Sequence, residues 1–207
     1  MRNIKKGNAP DYWLKLIKKN PHLRYKDLEP NFKTEKALLK TKMLQEEQSY
    51  LCCYCCQIID NKRSHIEHFR SRDFHPKLEM EYRNMLISCS VDTSCGCKKD
   101  NNDFPTSISY EDWECRFAYT VDGFIKASDE DADTESVIRI LNLNNQDLVQ
   151  KRRAVYDECI KYAQWMGKDY ISSTYIEETD GHLPRFSPMV KFFFNLGHFD
   201  SDTLAAT

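Results

Sequence analysis

Seven of the chain's nine cysteines fall between positions 52 and 97, with Cys115 and Cys159 outside that window. Thiols crowded into so short a stretch suit a metal site better than a disulfide framework in a reducing compartment. Leu51-Cys-Cys-Tyr-Cys-Cys-Gln57 holds two overlapping Cys-x-x-Cys pairs, Cys52/Cys55 and Cys53/Cys56. Such a turn sets two thiolates on one side of a tight knuckle, as tetrahedral zinc with Zn–S near ~2.3 Å requires. A second pair comes from Ser88 to Cys97, with Cys89 and Cys95 preferred and Cys97 the spare. Four thiolates leave no open coordination position, so this Zn²⁺ is expected to be structural. Buried free cysteines acting as small apolar side chains are the alternative, and they account well for Cys115 and Cys159. A redox Cys-x-x-Cys would need a strand-then-helix context that is missing here.

Between the two halves of this staple lies Ser64-His-Ile-Glu-His-Phe-Arg-Ser-Arg72. Glu67 followed by His68 suits phosphodiester hydrolysis. The acid can hold a hard cation such as Mg²⁺ or Mn²⁺, and an imidazole of near-neutral pKa can deprotonate water. A cation so held would polarise a phosphate oxygen and stabilise the leaving alkoxide. Arg70 and Arg72 follow at once, placed to hold phosphate oxygens. In a strand His68 points away from Glu67, so both serve one centre only if the strand ends there, and Phe69 to Arg72 is the expected turn. The competing reading makes His65 and His68 ordinary histidines on a polar loop.

The elements that must position these residues are legible in part. Apolar residues Tyr12, Trp13, Leu16 and Ile17 predict a helix opening near Asp11 behind Pro10 and stopped by Pro21. A second helix is predicted from Thr34 to Gln48, capped by Thr34, with Leu38, Leu39, Met43 and Leu44 inward. From Glu114 to Ala127 the alternation around Asp122-Gly123 predicts a β-hairpin. An acidic connector over 128–135 should cap a helix carrying Val137, Ile138 and Leu141. A longer helix is predicted from Asn145 to Met166, with Leu148, Val155, Ile160 and Tyr162 or Ala163 inward. Lys191-Phe-Phe-Phe-Asn-Leu196 reads as a short helix or strand.

The 207 residues, 41% hydrophobic with six glycines, describe a globular chain long enough to bury a core without crosslinks. The first apolar cluster, Trp13 to Ile17, is short and flanked by Lys15, Lys18 and Lys19. Nothing approaches the roughly 20 apolar residues of a membrane span, so a cytoplasmic protein without membrane contact is expected. Net charge is −2, but residues 1–72 carry 16 Lys and Arg against 8 Asp and Glu. A basic first half can follow a phosphate backbone that would repel the acidic remainder.

The ordered run Cys-x-x-Cys, Ile66-Glu-His-Phe-Arg70, Tyr82-Arg-Asn-Met-Leu-Ile-Ser-Cys89 and Cys95-Gly-Cys-Lys-Lys99 resembles the HNH endonuclease family. Within it, the chain is most similar to the PtuB group of Septu-type and retron-associated anti-phage defence systems. Met1-Arg-Asn-Ile-Lys-Lys6, Leu141-Asn-Leu-Asn144 and Lys151-Arg-Arg153 are also like that group. The resemblance implies an α+β fold, an HNH ββα-metal core with a zinc knuckle between N-terminal helices and a C-terminal helical region. The implied division is 1–50 helical, 51–127 nuclease core with zinc site and hairpin, and 128–207 helical. By the same resemblance His68 matches the general base, Glu67 the metal-binding acid, and Asn84 the central Asn that orients the base through a backbone contact. Many HNH enzymes have His or Asn directly after the final cysteine and Lys three residues later. Here Gly96 or Lys98 stands there although Lys99 remains, which leaves Asp100, Asn101 or His65 to complete the metal site. Lys98 and Lys99 join Arg70 and Arg72 as implied nucleic-acid contacts. The implied partners are a nucleic acid, a PtuA-like ATPase oligomer and a retron RNA–DNA and reverse transcriptase complex. DNA is the default substrate and RNA such as tRNA the other. The first helix and Phe192 to Leu196 are the candidate docking face for the ATPase. A non-catalytic zinc-finger adaptor binding nucleic acid or protein is the alternative function.

Overall fold

The computed structural model describes residues 1–204, the side chain of Pro30 excepted. Its helix α1 (Asp11–Lys19) starts behind Pro10, buries Trp13 and Leu16, and ends short of Pro21. Lys18 and Lys19 in its last turn face the negative end of the helix dipole. After the single turn of α2 (Leu28–Asn31), helix α3 (Lys33–Lys42) runs into a π-helical turn over Met43–Glu47. Phe32, not Thr34, is the residue that precedes α3. Leu39, Met43 and Leu44 are buried as expected, but Leu38 is 52% exposed. Its neighbour Leu39 takes the inward position on α3, where it is the one buried residue among those described.

Strands β1 (Ser64–His68) and β2 (Met85–Cys89) pair antiparallel, with Ser64 opposite Cys89 and His68 opposite Met85. Short helix α4 (Cys95–Lys99) follows and packs on β2. The knuckle is closed by a bridge between Leu51 and Ile58 and tied to β2 by Cys53 N–H donating to Ile87 O at 3.0 Å. The chain is thus mixed α and β, with two small sheets and a four-cysteine cluster.

A helical turn α5 (Trp113–Arg116) precedes the second sheet, so the predicted hairpin begins three residues later than Glu114. Strand β3 (Phe117–Tyr119) pairs with β4 (Ile125–Ala127). Gly123 at its turn has φ +89°, and a Cβ there would lie 2.2 Å from Val149 O, so only glycine fits. Helix α6 (Ala132–Ile140) is capped by Asp131, whose side chain accepts from Asp133 and Thr134 N–H. Helix α7 (Gln146–Met166) is capped by Asn145 and buries Leu148, Val155 and Ala163. Ile160 is half-buried, and Tyr162 is exposed: the inward position falls to Ala163. Buried Arg152 of α7 donates to the carbonyls of Gly123 and Leu143, locking hairpin to helix. Helices α8 (Lys168–Tyr175), α9 (Ser187–Asn195) and α10 (Ser201–Leu204) complete the described chain. In α9 Phe193 is buried while Phe192 and Phe194 pack against the same core, so this run is core-facing helix. The hairpin packs on α6 and α9, across position 128. No helix among the described residues is long and apolar enough to cross a membrane. Residues 205–207 of the predicted C-terminal region lie outside the described residues.

Candidate functional site

The knuckle, the end of β2 and the start of α4 bring four sulfurs together. Those of Cys52, Cys55, Cys89 and Cys95 all lie within 4.8 Å of one another, and all four residues are buried. A tetrahedron with arms near ~2.3 Å has edges of about 3.8 Å, and the Cys55–Cys89 sulfurs stand 4.0 Å apart. Cys89 N–H donates to Cys52 Sγ at 3.3 Å and Gln57 Nε2 to Cys55 Sγ at 3.8 Å. Burial works to raise the Cys52 thiol, but hydrogen bonds from Cys53, Cys55, Cys89 and Cys95 outweigh it and hold it well below the usual thiol range. Cys55 and Cys95 are pushed up in return, by thiol hydrogen bonding and by burial respectively. The cluster thus favours a thiolate in the interior, which a cation must balance. Donor set, distances and charge fit one structural zinc. Cys53 and Cys56 are buried outside the foursome, and Cys97 is exposed.

Eight residues further on, β1 presents the acid–histidine stretch. His65 and Glu67 share one face of the strand, as i and i+2 must. His65 Nε2 lies 3.4 Å from Glu67 Oε2, and its Nδ1 lies 3.3 Å from Ser90 Oγ. The other oxygen, Glu67 Oε1, accepts from Tyr54 OH at 3.2 Å and pairs with Lys99 Nζ at 3.2 Å. Burial alone would raise the Glu67 carboxyl. The hydrogen bond from His65 and the charge of Lys99 outweigh burial, so the group is held below its ordinary value and stays ionised.

Strand β1 ends at His68, which lets its ring join Glu67 in one pocket of about 180 Å³. Nε2 of His68 is 2.9 Å from the carbonyl oxygen of Glu79. A carbonyl can only accept, so Nε2 carries the hydrogen and Nδ1 keeps the lone pair. Burial pushes this imidazole down to about 4, against the raising effect of the Glu79 carbonyl, so it is neutral at neutral pH and a weaker base than the near-neutral imidazole expected from the sequence. The ring of Tyr25 meets it edge-on, centroids 4.4 Å apart.

Asn84 acts on the loop rather than on the ring. Its side chain accepts from Arg70 N–H at 2.7 Å and donates to the carbonyls of Arg70 and Leu78 at 3.0 and 3.1 Å. Its own carbonyl accepts from Phe69 N–H at 2.8 Å, directly after His68. The segment that carries Glu79 is thereby pinned to the end of β1.

Two expected nucleic-acid contacts have other tasks. Both terminal nitrogens of Arg70 are spent on the carbonyls of Phe104, Pro105, Thr106 and Ile108, which leaves no two-donor fork for a phosphate. Lys99 is 1% exposed, and its ammonium lies between Glu67 and the carbonyl of His68. Arg72 remains exposed at the pocket rim, its guanidinium carbon 5.0 Å from the Tyr25 ring centre. Asp100 and Asn101 line the same pocket, whereas Lys98 is exposed outside it.

Gly96 sits against the acid. A Cβ on it would lie 2.5 Å from Glu67 Oε2, 2.6 Å from His65 Nε2 and 3.0 Å from Ser88 Oγ. The bare glycine makes the room in which the His65 and Glu67 tips meet. Sequence reasoning missed Tyr25, Tyr54 and the Glu79 carbonyl. Tyr54 had a signal in its place between the paired cysteines; Tyr25 and Glu79 had none, being local only in space. Set beside known proteins, the chain matches no protein-family model and no curated protein.

Proposed function

We propose that this chain is a metal-dependent HNH-type endonuclease that hydrolyses nucleic-acid phosphodiester bonds, with β1, β2 and α4 as its ββα-metal core. One observation carries the reading: a neutral imidazole held by a backbone carbonyl shares a pocket with a buried, ionised carboxylate. That combination serves hydrolysis. Nδ1 of His68 takes a proton from water as its oxygen attacks phosphorus, and the P–O bond to the leaving oxygen breaks. The Glu79 carbonyl fixes the tautomer and stabilises the imidazolium that forms. Glu67 and His65 would hold Mg²⁺ or Mn²⁺, which when bound polarises a phosphate oxygen and stabilises the leaving alkoxide. One carboxylate and one imidazole are a sparse set, in keeping with a Mg²⁺ that keeps waters and takes substrate oxygens. Ser90 on Nδ1 of His65 orients that ring. Arg72 at the rim meets the substrate phosphate, and Lys99 keeps Glu67 charged from beneath.

The resemblance to the PtuB group supports placing this nuclease in an anti-phage defence system beside an ATPase oligomer. Exposed Leu14 on α1 and Leu196 after α9 are apolar contacts available to such a partner. DNA is the favoured substrate, with RNA such as tRNA the other. The test is incubation of wild type and His68→Ala with plasmid DNA and with total tRNA, with Mg²⁺ or Mn²⁺ and with EDTA. Cleavage by wild type alone, stopped by chelation, supports the reading and names the substrate. Cleavage that persists in His68→Ala removes His68 as the base.

The adaptor reading draws on one observation, that Lys99 already answers the charge of Glu67. It requires nucleic-acid or protein binding without cleavage in any metal, with or without an ATPase partner.

A further inference from the structure

Beside the pocket of Glu67 and His68 lies a larger cavity of about 460 Å³, and Tyr25, His65 and Ile66 belong to the walls of both. Its far wall is one face of α3, where Lys33, Lys36 and Lys40 recur at helical spacing. The three lysines are differently engaged. Lys40 Nζ donates to the carbonyls of Asn61 and Ser64 and so braces α3 against β1. Lys36 Nζ lies 2.6 Å from Glu29 Oε2 and 5.3 Å from the Tyr25 ring centre. The Lys33 ammonium makes no ion pair or side-chain hydrogen bond among the described residues, though its charge adds to that of Lys36 in holding the Glu29 carboxyl below its ordinary value. Across the same ring stands Arg72, so cations flank Tyr25 on the groove side and on the pocket side. Glu29 of α2 is the one carboxylate among the residues lining the cavity, and a phosphate on Lys36 would take its place.

A pocket of about 180 Å³ has room for a phosphodiester group but not for the nucleotides on either side of it. Those must lie on adjoining surface, and the adjoining cavity is the one with cations. We propose that this groove seats the strand flanking the scissile bond, its backbone passing Tyr25 and His65 to run along α3 with phosphates on Lys33 and Lys36. The direction assigned to the strand rests on the nuclease reading; the binding itself does not. Lys33 and Lys36 are neighbours at i and i+3 on α3, so both ammonium groups can reach the backbone of one strand. Lysines on phosphates carry no sequence information, so the groove fixes register and not base identity.

The test uses the full zinc-loaded chain, without Mg²⁺, and fluorescent 20-nucleotide probes: single-stranded DNA, duplex DNA and RNA of one sequence. Fluorescence anisotropy from 50 to 300 mM KCl compares wild type with Lys33→Gln/Lys36→Gln. Lys126→Gln/Lys161→Gln removes the same charge from β4 and α7 as a control. Loss of two phosphate contacts lowers the slope of log K against log salt by roughly 1.4 to 1.8, with binding about tenfold weaker or more at 100 mM. The control keeps the wild-type slope, and zinc content is unchanged in all three. A slope loss on DNA alone or RNA alone names the backbone. Equal slopes for wild type and the groove variant on every probe overturn the proposal, as does a wild type that binds none. Hydrolysis of bis(p-nitrophenyl) phosphate by wild type with Mn²⁺ separates the two ideas. Groove-dependent binding with no hydrolysis in Mg²⁺ or Mn²⁺, with or without the ATPase partner, keeps the groove and sinks the nuclease; hydrolysis with unchanged slopes does the reverse.

Discussion

A base that works as a neutral imidazole should leave a mark on stability as well as on rate. His68 titrates near 4 in the folded chain because it is buried, against about 6.5 for an unperturbed imidazole. Between those values the unfolded chain binds a proton that the folded chain refuses. The stabilisation from keeping His68 neutral is therefore fully present above 6.5 and is lost as pH falls towards 4. Linkage with these two values gives a loss of about 2 kcal/mol between pH 7 and pH 5, and about 3 kcal/mol over the full window. Zinc thiolates also protonate in acid, so wild type alone is an ambiguous probe. His68→Asn removes the titration while keeping all four thiols, and the difference between the two proteins cancels what they share. Urea unfolding at half-unit steps from pH 8 to pH 5, with zinc content followed in parallel, reads that difference directly. Wild type should lose about 2 kcal/mol relative to His68→Asn across pH 7 to 5. A difference that stays constant means the ring titrates alike in both states, and then the tautomer argument and the base assignment lose their physical basis. Under the proposed mechanism, cleavage keeps its base in working form down to about pH 5 wherever zinc is retained.

Three further outcomes follow from the same geometry. Cys89→Ser should release zinc and lower the melting temperature, since the metal's binding energy is part of the folding energy, while Cys97→Ser keeps one zinc per chain by metal analysis. Lys99→Met removes the buried partner of Glu67 and should cost roughly 3–5 kcal/mol in urea unfolding, with Glu67→Gln added to it restoring much of the loss. Gly96→Ala puts a Cβ 2.5 Å from Glu67 Oε2, so the acid must retreat by about 1 Å to reach ordinary contact. Flexible tips can yield at little cost in stability, but a 1 Å displacement at a reaction centre is worth on the order of 100-fold in rate. Near-normal melting with that loss of cleavage is the expected result, and wild-type cleavage would show that the tips need not meet.

Local chemistry explains which parts were legible in the sequence. Pro10 and Pro21 bracket α1, Asn145 caps α7, and Asp122-Gly123 turns the hairpin; each signal acts on its own few residues. A four-cysteine metal site was legible from ligand spacing, because a metal knuckle imposes spacing, but the choice of Cys52 and Cys55 over the overlapping Cys53 and Cys56 needed the fold. Arg70 and Lys99 were misread for the opposite reason. Both have the composition of phosphate contacts, yet their heads turn to carbonyls of residues 104–108 and to Glu67. Nothing local to Arg70 announces four carbonyls some 34 to 38 positions away. Leu38 fell out of the core because α3 turns only Leu39 inward, and two adjacent leucines do not say which of them faces the core. The His65–Glu67–Gly96 contact needed the register of β1 on β2 and the docking of α4, which spacing alone does not supply.

A chain of this length has core enough to fold, so the cluster needs a reason beyond stability. The four cysteines sit where the candidate site has its joints. Cys89 ends β2 opposite Ser64, the residue before His65. Cys95 opens α4 immediately before Gly96, four residues before Lys99. Cys52 and Cys55 flank Tyr54, whose hydroxyl donates to Glu67. A metal tying these thiols sets the far end of the β1–β2 pair, the seat of α4 and the Tyr54 hydroxyl at once, and Glu67 touches a residue from each of the last two. Asn84 then holds the other end of the β1–β2 pair, where β1 stops at His68. Zinc loss should therefore loosen Glu67 before it unfolds the helices of the C-terminal half, and that order, read by hydrogen exchange during chelation, distinguishes a staple built for the site from one built for the fold.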